Sequence, residues 1–456
     1  MSTLKAGTGR ADITPPVGIE IGIWTLRRGL SKGIHDRMWA RAVVLEAENT
    51  CVAITSIDAA AVTRETAERI RDVVVAHTDI LRDNILLNCS HTHTSPFTRR
   101  LPSSRKRPTA GHLAYSEVFP HYVAGAIIEG WHGRREATVG AISGEVAGIT
   151  VNRRDPKLAV DPEVGVVRID DGLGHPMACL VNYACHGTTV GAHFLHWTGD
   201  FPGYLARTVE EAVPGCACLF LQGAEGDIHP WDWYFGNATP RFGDTYEAAE
   251  RLGTSLAGPA LGLLAQIETE PETSLAMSSE IISLPPRPIN WTADEAEAFL
   301  QELEVTTEPY EEDVIPDNCP GCLSAQRFPA AYRLSAARKE AGFARNYPDA
   351  VDVELAVMRI GDIVLAANSG ELYSGLGMEI KRRSPFDDTY VLSCTNDYTG
   401  YIPSREAIEA VLDLPLAEFV DPVEHRRHYG ATSSNPLAPG AGEQLVEKTL
   451  EMIARA

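Results

Sequence analysis

Five short apolar runs in this chain each end in side chains able to do chemistry. Ile85–Cys89 leads into Ser90-His91-Thr92-His93-Thr94-Ser95-Pro96, and Met177–Ala184 leads into Cys185-His186-Gly187-Thr188-Thr189. Ala217–Leu221 leads into Gln222-Gly223-Ala224-Glu225-Gly226-Asp227-Ile228-His229-Pro230. Ile363–Ala367 runs into Asn368-Ser369-Gly370-Glu371, and Tyr390–Cys394 runs into Asn396-Asp397-Tyr398-Thr399-Gly400-Tyr401. Ligands of open α/β sheets collect at the carboxyl ends of strands, where turns let side chains converge. One such ending is ordinary. Five that carry His, Glu, Asp and Tyr point to a shared site, and neutral imidazoles suit Zn2+ at neutral pH.

Taken singly, each residue has a plainer reading. In extended backbone, residues two apart face the same side, so His91 and His93 would both address one ligand. An isolated pair of this kind more often caps turns. His186 alone is more often a hydrogen-bonded histidine at a strand end. Glu371 reads as the opening of a helix, Glu371–Lys381, where the helix dipole favours a carboxylate anyway. Tyr401 is a rare ligand type. His193, His196 and Asp200 follow His186 closely, and Asp227-x-His229 ends another strand. These would supply a second metal if they converge, as bridging carboxylates do in two-metal hydrolases. Orientation of the first ion's ligands is the favoured reading, with one ion per chain.

The elements that must position these residues are legible in part. Ala42–Ala47 and Val52–Ser56 read as paired strands, Arg64–His77 as an amphipathic helix and Ile85–Cys89 as a buried strand. Val164–Ile169, Val351–Arg359 and Asp362–Ala367 add further strands, and Asp244–Leu264 is helical in period. Within 286–347 a Pro-rich hinge precedes helical runs at Asp294–Glu304 and Ala330–Arg345, with an acidic loop and Cys319-Pro-Gly-Cys322 between them. The expected fold class is α/β: mixed β-sheets flanked by helices, one body over 1–456 with 286–347 as a helical excursion. Cys319 and Cys322 read as a tight Pro-Gly turn, since a lone CxxC is weak evidence for zinc or redox work.

The 456 residues carry 40 Lys plus Arg against 62 Asp plus Glu, a formal charge of −22. Phosphate-dominated binding needs a basic face, so nucleic acid and anionic membrane surfaces are not the expected partners. No run approaches the 18 apolar residues of a membrane helix, and the N-terminus lacks the apolar core of a signal peptide. The nine cysteines, mostly in apolar runs, read as reduced buried thiols of a cytoplasmic protein. The expected partner is a small molecule, with homo-oligomers left open. One basic run stands against the acidic background: Arg99, Arg100, Arg105, Lys106 and Arg107, directly after the His91–His93 loop. Such runs are usually solvated loops, and beside a site they can also gate it and attract an anionic substrate.

In order and spacing, the motifs resemble those of the neutral ceramidase family, in particular its N-terminal catalytic region. The resemblance rests on Gly7-Thr-Gly-Arg-Ala-Asp-Ile-Thr-Pro-Pro-Val-Gly18, His35-Asp36, Ser56-Ile57-Asp58 and Ser90–Pro96. It continues through Val151-Asn152-Arg153, Asp161–Ile169, Asn182–Thr188, Gly199–Tyr204, Gln222–Pro230, Ser369-Gly-Glu371 and Asn396–Ile402. It implies one Zn2+ in an α/β domain that hydrolyses an amide bond. Carried over by motif, the metal ligands are His91, His186, Glu371 and Tyr401, while His93, Arg153 and Tyr429 line the reaction centre. The chain departs from the family where Gln222-Gly223-Ala224 replaces Gln-Ser-Asn, which removes a serine implicated in catalysis. It also departs where Ala407–Val420 adds an apolar element, read as helical up to Pro415. Neither a C-terminal immunoglobulin-like domain nor a secretory signal is expected. A small soluble amide is therefore the expected substrate, ahead of ceramide, with ester or lactone hydrolysis and a non-catalytic scaffold as alternatives.

Overall fold

In the computed structural model, residues 2–23, 27, 29–96, 108–230, 245–307 and 329–456 are described. Both the basic run Arg99–Arg107 and the Cys319/Cys322 turn lie outside them. Strands β1 (Lys5–Asp12), β2 (Trp39–Ala47), β3 (Thr50–Ile57), β4 (Ile85–Cys89), β5 (Arg135–Glu145), β6 (Glu163–Asp171), β7 (Pro176–Tyr183) and β8 (Ala217–Gln222) form one sheet. Its spatial order is β8-β7-β6-β5-β1-β2-β3-β4, mostly antiparallel, with parallel pairs β3–β4 and β7–β8 at the two edges. A second sheet joins β9 (Leu275–Leu284), β10 (Val351–Ile360), β11 (Ile363–Asn368) and β12 (Asp388–Leu392), in that order.

The two sheets pack face to face with helices on both outer faces. Val43 and Leu45 of β2 point to the inter-sheet core with Ile54, Leu180, Met358, Leu365 and Leu392. Their alternate neighbours, Ala42 and Val44, face Ile70 and Val74 of α1 (Arg64–His77) and Phe119 and Val123 of α2 (Ala110–His132). A strand buried on both faces reads as a continuous apolar run, which explains Ala42–Ala47. Helix α3 (Asp200–Ala212) and α4 (Tyr246–Leu264) cover β6–β8. Beyond the second sheet lie α5 (Ala293–Thr306), α6 (Pro329–Arg345), α7 (Ser374–Arg383) and the C-terminal helix Ala441–Arg455. Trp291, Ala296, Ala336 and Ala341 share that outer core, so both helices of the 286–347 stretch are anchored in it.

Local signals account for several boundaries. Thr63 caps α1 by accepting from Thr66 N, and Thr292 with Glu295 forms a reciprocal capping box at α5. Helix α2 lies so close on β1 that a Cβ at Gly7 would sit 2.0 Å from Gly130 O, and one at Gly9 2.1 Å from Ala126 O. Two expectations need correction. Glu371 does not open a helix: Glu371–Leu372 is a short strand paired parallel with Tyr401–Ile402, and α7 starts at Ser374. Ala407–Val420 is spanned by two short helices, Arg405–Glu409 and Leu416–Phe419, separated by a turn, with Pro415 at the N-cap of the second.

Candidate metal centre

The first sheet curls until its edges meet. Ser56 Oγ of β3 donates to Phe220 O of β8 at 2.7 Å, and Gln222 N donates to Asn88 Oδ1 of β4 at 2.9 Å. Asn88 Nδ2 also donates to Ser393 O of the second sheet at 2.8 Å. Loops leaving β4 and β7, from opposite edges of one sheet, therefore run side by side. His93 N donates to Gly187 O at 3.0 Å, and Thr92 bridges Gly187. A side chain at Gly187 would lie 2.6 Å from His91 O, so the approach requires glycine.

His91 adopts a left-handed backbone, φ +57°, not the extended one expected for H-x-H. Such strain in a non-glycine residue persists only where surrounding structure imposes it, and it concentrates at functional sites. The bend still brings His91 Nε2 to 3.2 Å from His93 Nε2. His186 Nε2 lies 3.0 Å from Glu371 Oε2, and His91 Nε2 lies 3.5 Å from the same oxygen. Parallel pairing places Glu371 beside Tyr401. Arg153 Nη2 donates to Tyr401 OH at 2.8 Å and Gly226 O at 2.8 Å, and lies 3.2 Å from His186 Nε2. Its guanidinium stacks on Tyr429, Cζ 3.6 Å from the ring centroid. All seven residues singled out in the sequence thus converge, from the ends of β4, β7, β11 and β12, from Arg153 after the short strand Val151–Asn152, and from the 429 segment.

Protonation decides what this arrangement accepts. His91 Nδ1 is 2.7 Å from Ala60 O, and His186 Nδ1 is 2.8 Å from Glu225 O. A carbonyl can only accept, so each neutral ring keeps its hydrogen on Nδ1 and aims a lone pair from Nε2. Glu371 Oε2 is buried and accepts no hydrogen bond. Arg153 Nη2 is 4.0 Å from Glu371 Oε2, and two lone pairs beside that carboxylate oxygen inside a protein leave room for a further cation. Two imidazole nitrogens, a carboxylate and a nearby phenol are a donor set that suits Zn2+, so these residues fit a metal ion. A proton competes for the same place. Burial alone would push His91 down, but the Glu371 carboxylate outweighs it and holds His91 above the usual histidine range. Burial and the neighbouring Arg153 push His186 down to about 3. Burial, with His91 and His186 nearby, keeps His93 well below the usual range, so its ring is neutral. Burial pushes the Tyr401 phenol up despite Arg153.

Three participants were present in the strand-end runs but carried no assigned role. Tyr398 OH donates to Glu371 Oε1, fixing the carboxylate. Glu225, pushed up to about 7 by burial, sits behind His91 with Cys394 Sγ 3.3 Å from its Oε1. His91, Glu225 and Cys394 form a second group of metal-competent atoms, sharing His91 with the His91–His93–His186 group. Of the residues weighed for a second ion, Asp227, Asp200 and His229 are engaged by neighbouring protein groups. Asp227 accepts from Asn152 Nδ2 and Ser374 N, and Asp200 accepts from Val190 N and Phe201 N. His229 Nε2 lies 3.1 Å from Thr188 Oγ1.

Fold and cluster together define a four-layer α/β/β/α protein with a buried His–His–Glu centre fit to hold a metal ion. Residues 4–230 match the family model described as neutral/alkaline non-lysosomal ceramidase, N-terminal. Neutral ceramidase A of Dictyostelium discoideum is 26% identical over 260 residues, 50% of this chain and 36% of that protein. Neutral ceramidase of Drosophila melanogaster is 37% identical over 102 residues, 21% of this chain and 14% of that protein. The chain thus matches well under half the length of these curated relatives. Over its full length it superposes on the crystal structure of neutral ceramidase from Pseudomonas aeruginosa, at TM-score 0.66 and 17% identity, covering 75% of that chain. A ceramidase complexed with C2 superposes at TM-score 0.68 and 15% identity over 99% of this chain and 75% of that one. The chain belongs to the neutral/alkaline ceramidase family. Among the described residues, no helix is long and apolar enough to cross a membrane.

Proposed function

We propose that this protein is a zinc-dependent hydrolase that cleaves the amide bond of a small soluble substrate. The observation that carries the reading is the convergence of His91 Nε2, His186 Nε2 and Glu371 Oε2, each ring tied back by Nδ1 to a backbone carbonyl. Zn2+ held there, one per chain, would polarise the scissile carbonyl and lower the pKa of a bound water. His91, His186 and Glu371 would hold it, with Tyr401 alongside. His93, neutral and 3.2 Å from His91 Nε2, would hydrogen-bond the developing oxyanion or pass a proton to the leaving amine. Arg153, fixed by Gly226 O and the Tyr429 ring, presents positive charge to a developing oxyanion. The same residues would serve an ester or lactone.

A second reading, ceramide hydrolysis, is favoured by the ceramidases that this chain resembles. The experiment is elemental analysis of the purified protein, with turnover measured on N-octanoyl amides and on a short-chain ceramide. About one zinc per chain, with His91→Ala losing metal and turnover together, is the expected result. A preference for ceramide would select the second reading. Full zinc content and turnover in His91→Ala would overturn both, and a metal-free, inactive protein would leave the scaffold role.

A further inference from the structure

Helix α6 delivers an ammonium to the edge of this centre. Tyr332, Ala336, Lys339 and Phe343 are spaced to share one face of the helix. Tyr332 packs on His425 with ring centroids 4.7 Å apart, and His425 packs on Tyr429 at 4.5 Å. Tyr429 carries the Arg153 guanidinium at 3.6 Å. A second route reaches the same place: Lys339 Nζ donates to Ser434 Oγ at 3.0 Å, while Ser434 O accepts from Tyr401 N at 3.2 Å. Lys339 thus stands one residue behind Tyr401, itself the strand partner of Glu371.

Its surroundings are unusual for a lysine. Half-buried, it has among the described residues one hydroxyl as hydrogen-bond partner; the carboxylates of Glu371 and Glu340 act on it electrostatically, but neither lies within ion-pair distance. The nearest buried acid on its own helix, Glu340, is taken by Arg287 through both oxygens, at 3.1 and 2.9 Å. An ammonium has three donors, and desolvating one whose anions are too distant to accept from it is costly. His425 beside it is buried and held neutral at about 3, so it adds no competing charge.

We propose that Lys339 is a specificity residue that binds a carboxylate on the substrate, making N-acyl amino acids the preferred amides. This rests on the amide-hydrolase reading, and it sets the chain apart from enzymes of uncharged lipid amides. A carboxylate on the amine side would reach Lys339 from the Tyr401 side while the amide carbonyl faces the His–Glu centre. The charge-assisted contact would orient the substrate and discriminate against a neutral amide.

The test compares N-octanoylglycine with N-octanoylglycinamide, which differ only in that charge. Binding is measured by calorimetry and turnover by amine release, in wild type, Lys339→Gln, Lys339→Arg and Ser434→Ala. The wild type is expected to favour the carboxylate. Lys339→Gln should lower that preference about tenfold, in binding and in kcat/KM, while Lys339→Arg and Ser434→Ala should keep most of it. A purely structural lysine would act through Ser434, so equal losses on both ligands, or loss of the preference in Ser434→Ala, would overturn the proposal. So would a wild type without the preference. If neither amide is turned over, the small-amide reading fails, while the binding arm still decides for or against Lys339.

Discussion

Two buried charge clusters in this protein contrast sharply. Arg287 and Glu340 form a bidentate pair, with Arg287 Nε also donating to Asn435 O at 2.9 Å and the guanidinium lying over Phe419 at 4.5 Å. Every charge there is answered by the protein itself. In the cluster at the strand ends, Glu371 Oε2 faces two imidazole nitrogens and accepts no hydrogen bond. Burial is common to both. What differs is geometry: Glu340 is held by Arg287 through both oxygens, whereas Glu371 Oε2 meets Arg153 only at 4.0 Å and faces two imidazole nitrogens that suit a metal ion.

Breaking each cluster should therefore give opposite phenotypes. The largest effect is expected at the metal centre. Glu371→Gln should cut metal content below a tenth of wild type and turnover on the order of a thousandfold, with little loss of folding in metal-free buffer. Elemental analysis and urea unfolding of the same samples check this. Glu340→Gln should do the reverse, costing about 3–5 kcal/mol by leaving Arg287 buried and unpaired, while the purified protein retains its metal. A urea midpoint equal to wild type would show that the pair is not the scaffold element described here.

Smaller effects sharpen the comparison. Tyr398→Phe removes the hydroxyl that holds Glu371 Oε1. It should weaken metal binding about 10–100-fold without altering the urea midpoint of the metal-free protein; a competition assay with a chelator measures it. The smallest is a pH effect at His425, whose folded pKa of about 3 lies below the ordinary histidine value. A base depressed in the folded state stabilises the fold above its unfolded pKa, and that stability is lost as pH falls. Between pH 6.5 and 5 the loss from this group is at most about 2 kcal/mol. His425→Gln should flatten the acid limb of a stability-versus-pH curve. An unchanged slope would show that His425 is not the group that titrates.

Legibility in the sequence followed the source of each element's stabilisation. Strands β2, β3 and β4 and helix α1 were readable because their own apolar periodicity buries them, and Arg64–His77 and Ile85–Cys89 match to the residue. Strand β1 and helix α2 carried no such signal. β1 is held by glycines that let a helix approach closely, and α2 is apolar around much of its circumference, with Pro120 inside it. Glu371 reads as a helix start from sequence because the dipole argument is local, whereas its strand pairing with Tyr401 depends on a segment 30 residues away.

The sequence by itself determined the inventory: which strand ends carry His91, His93, His186, Glu371 and Tyr401, and that such donors suit a metal. Only the tertiary structure decided that they meet. Curling brings the β4 and β8 edges together, left-handed backbone at His91 turns its ring inward, and carbonyls of Ala60 and Glu225 set both imidazole tautomers. It also brought Lys339, from a helix with no motif, to the edge of the centre. Donor type is a property of a residue, but convergence, tautomer and charge balance are properties of neighbours far apart in the chain.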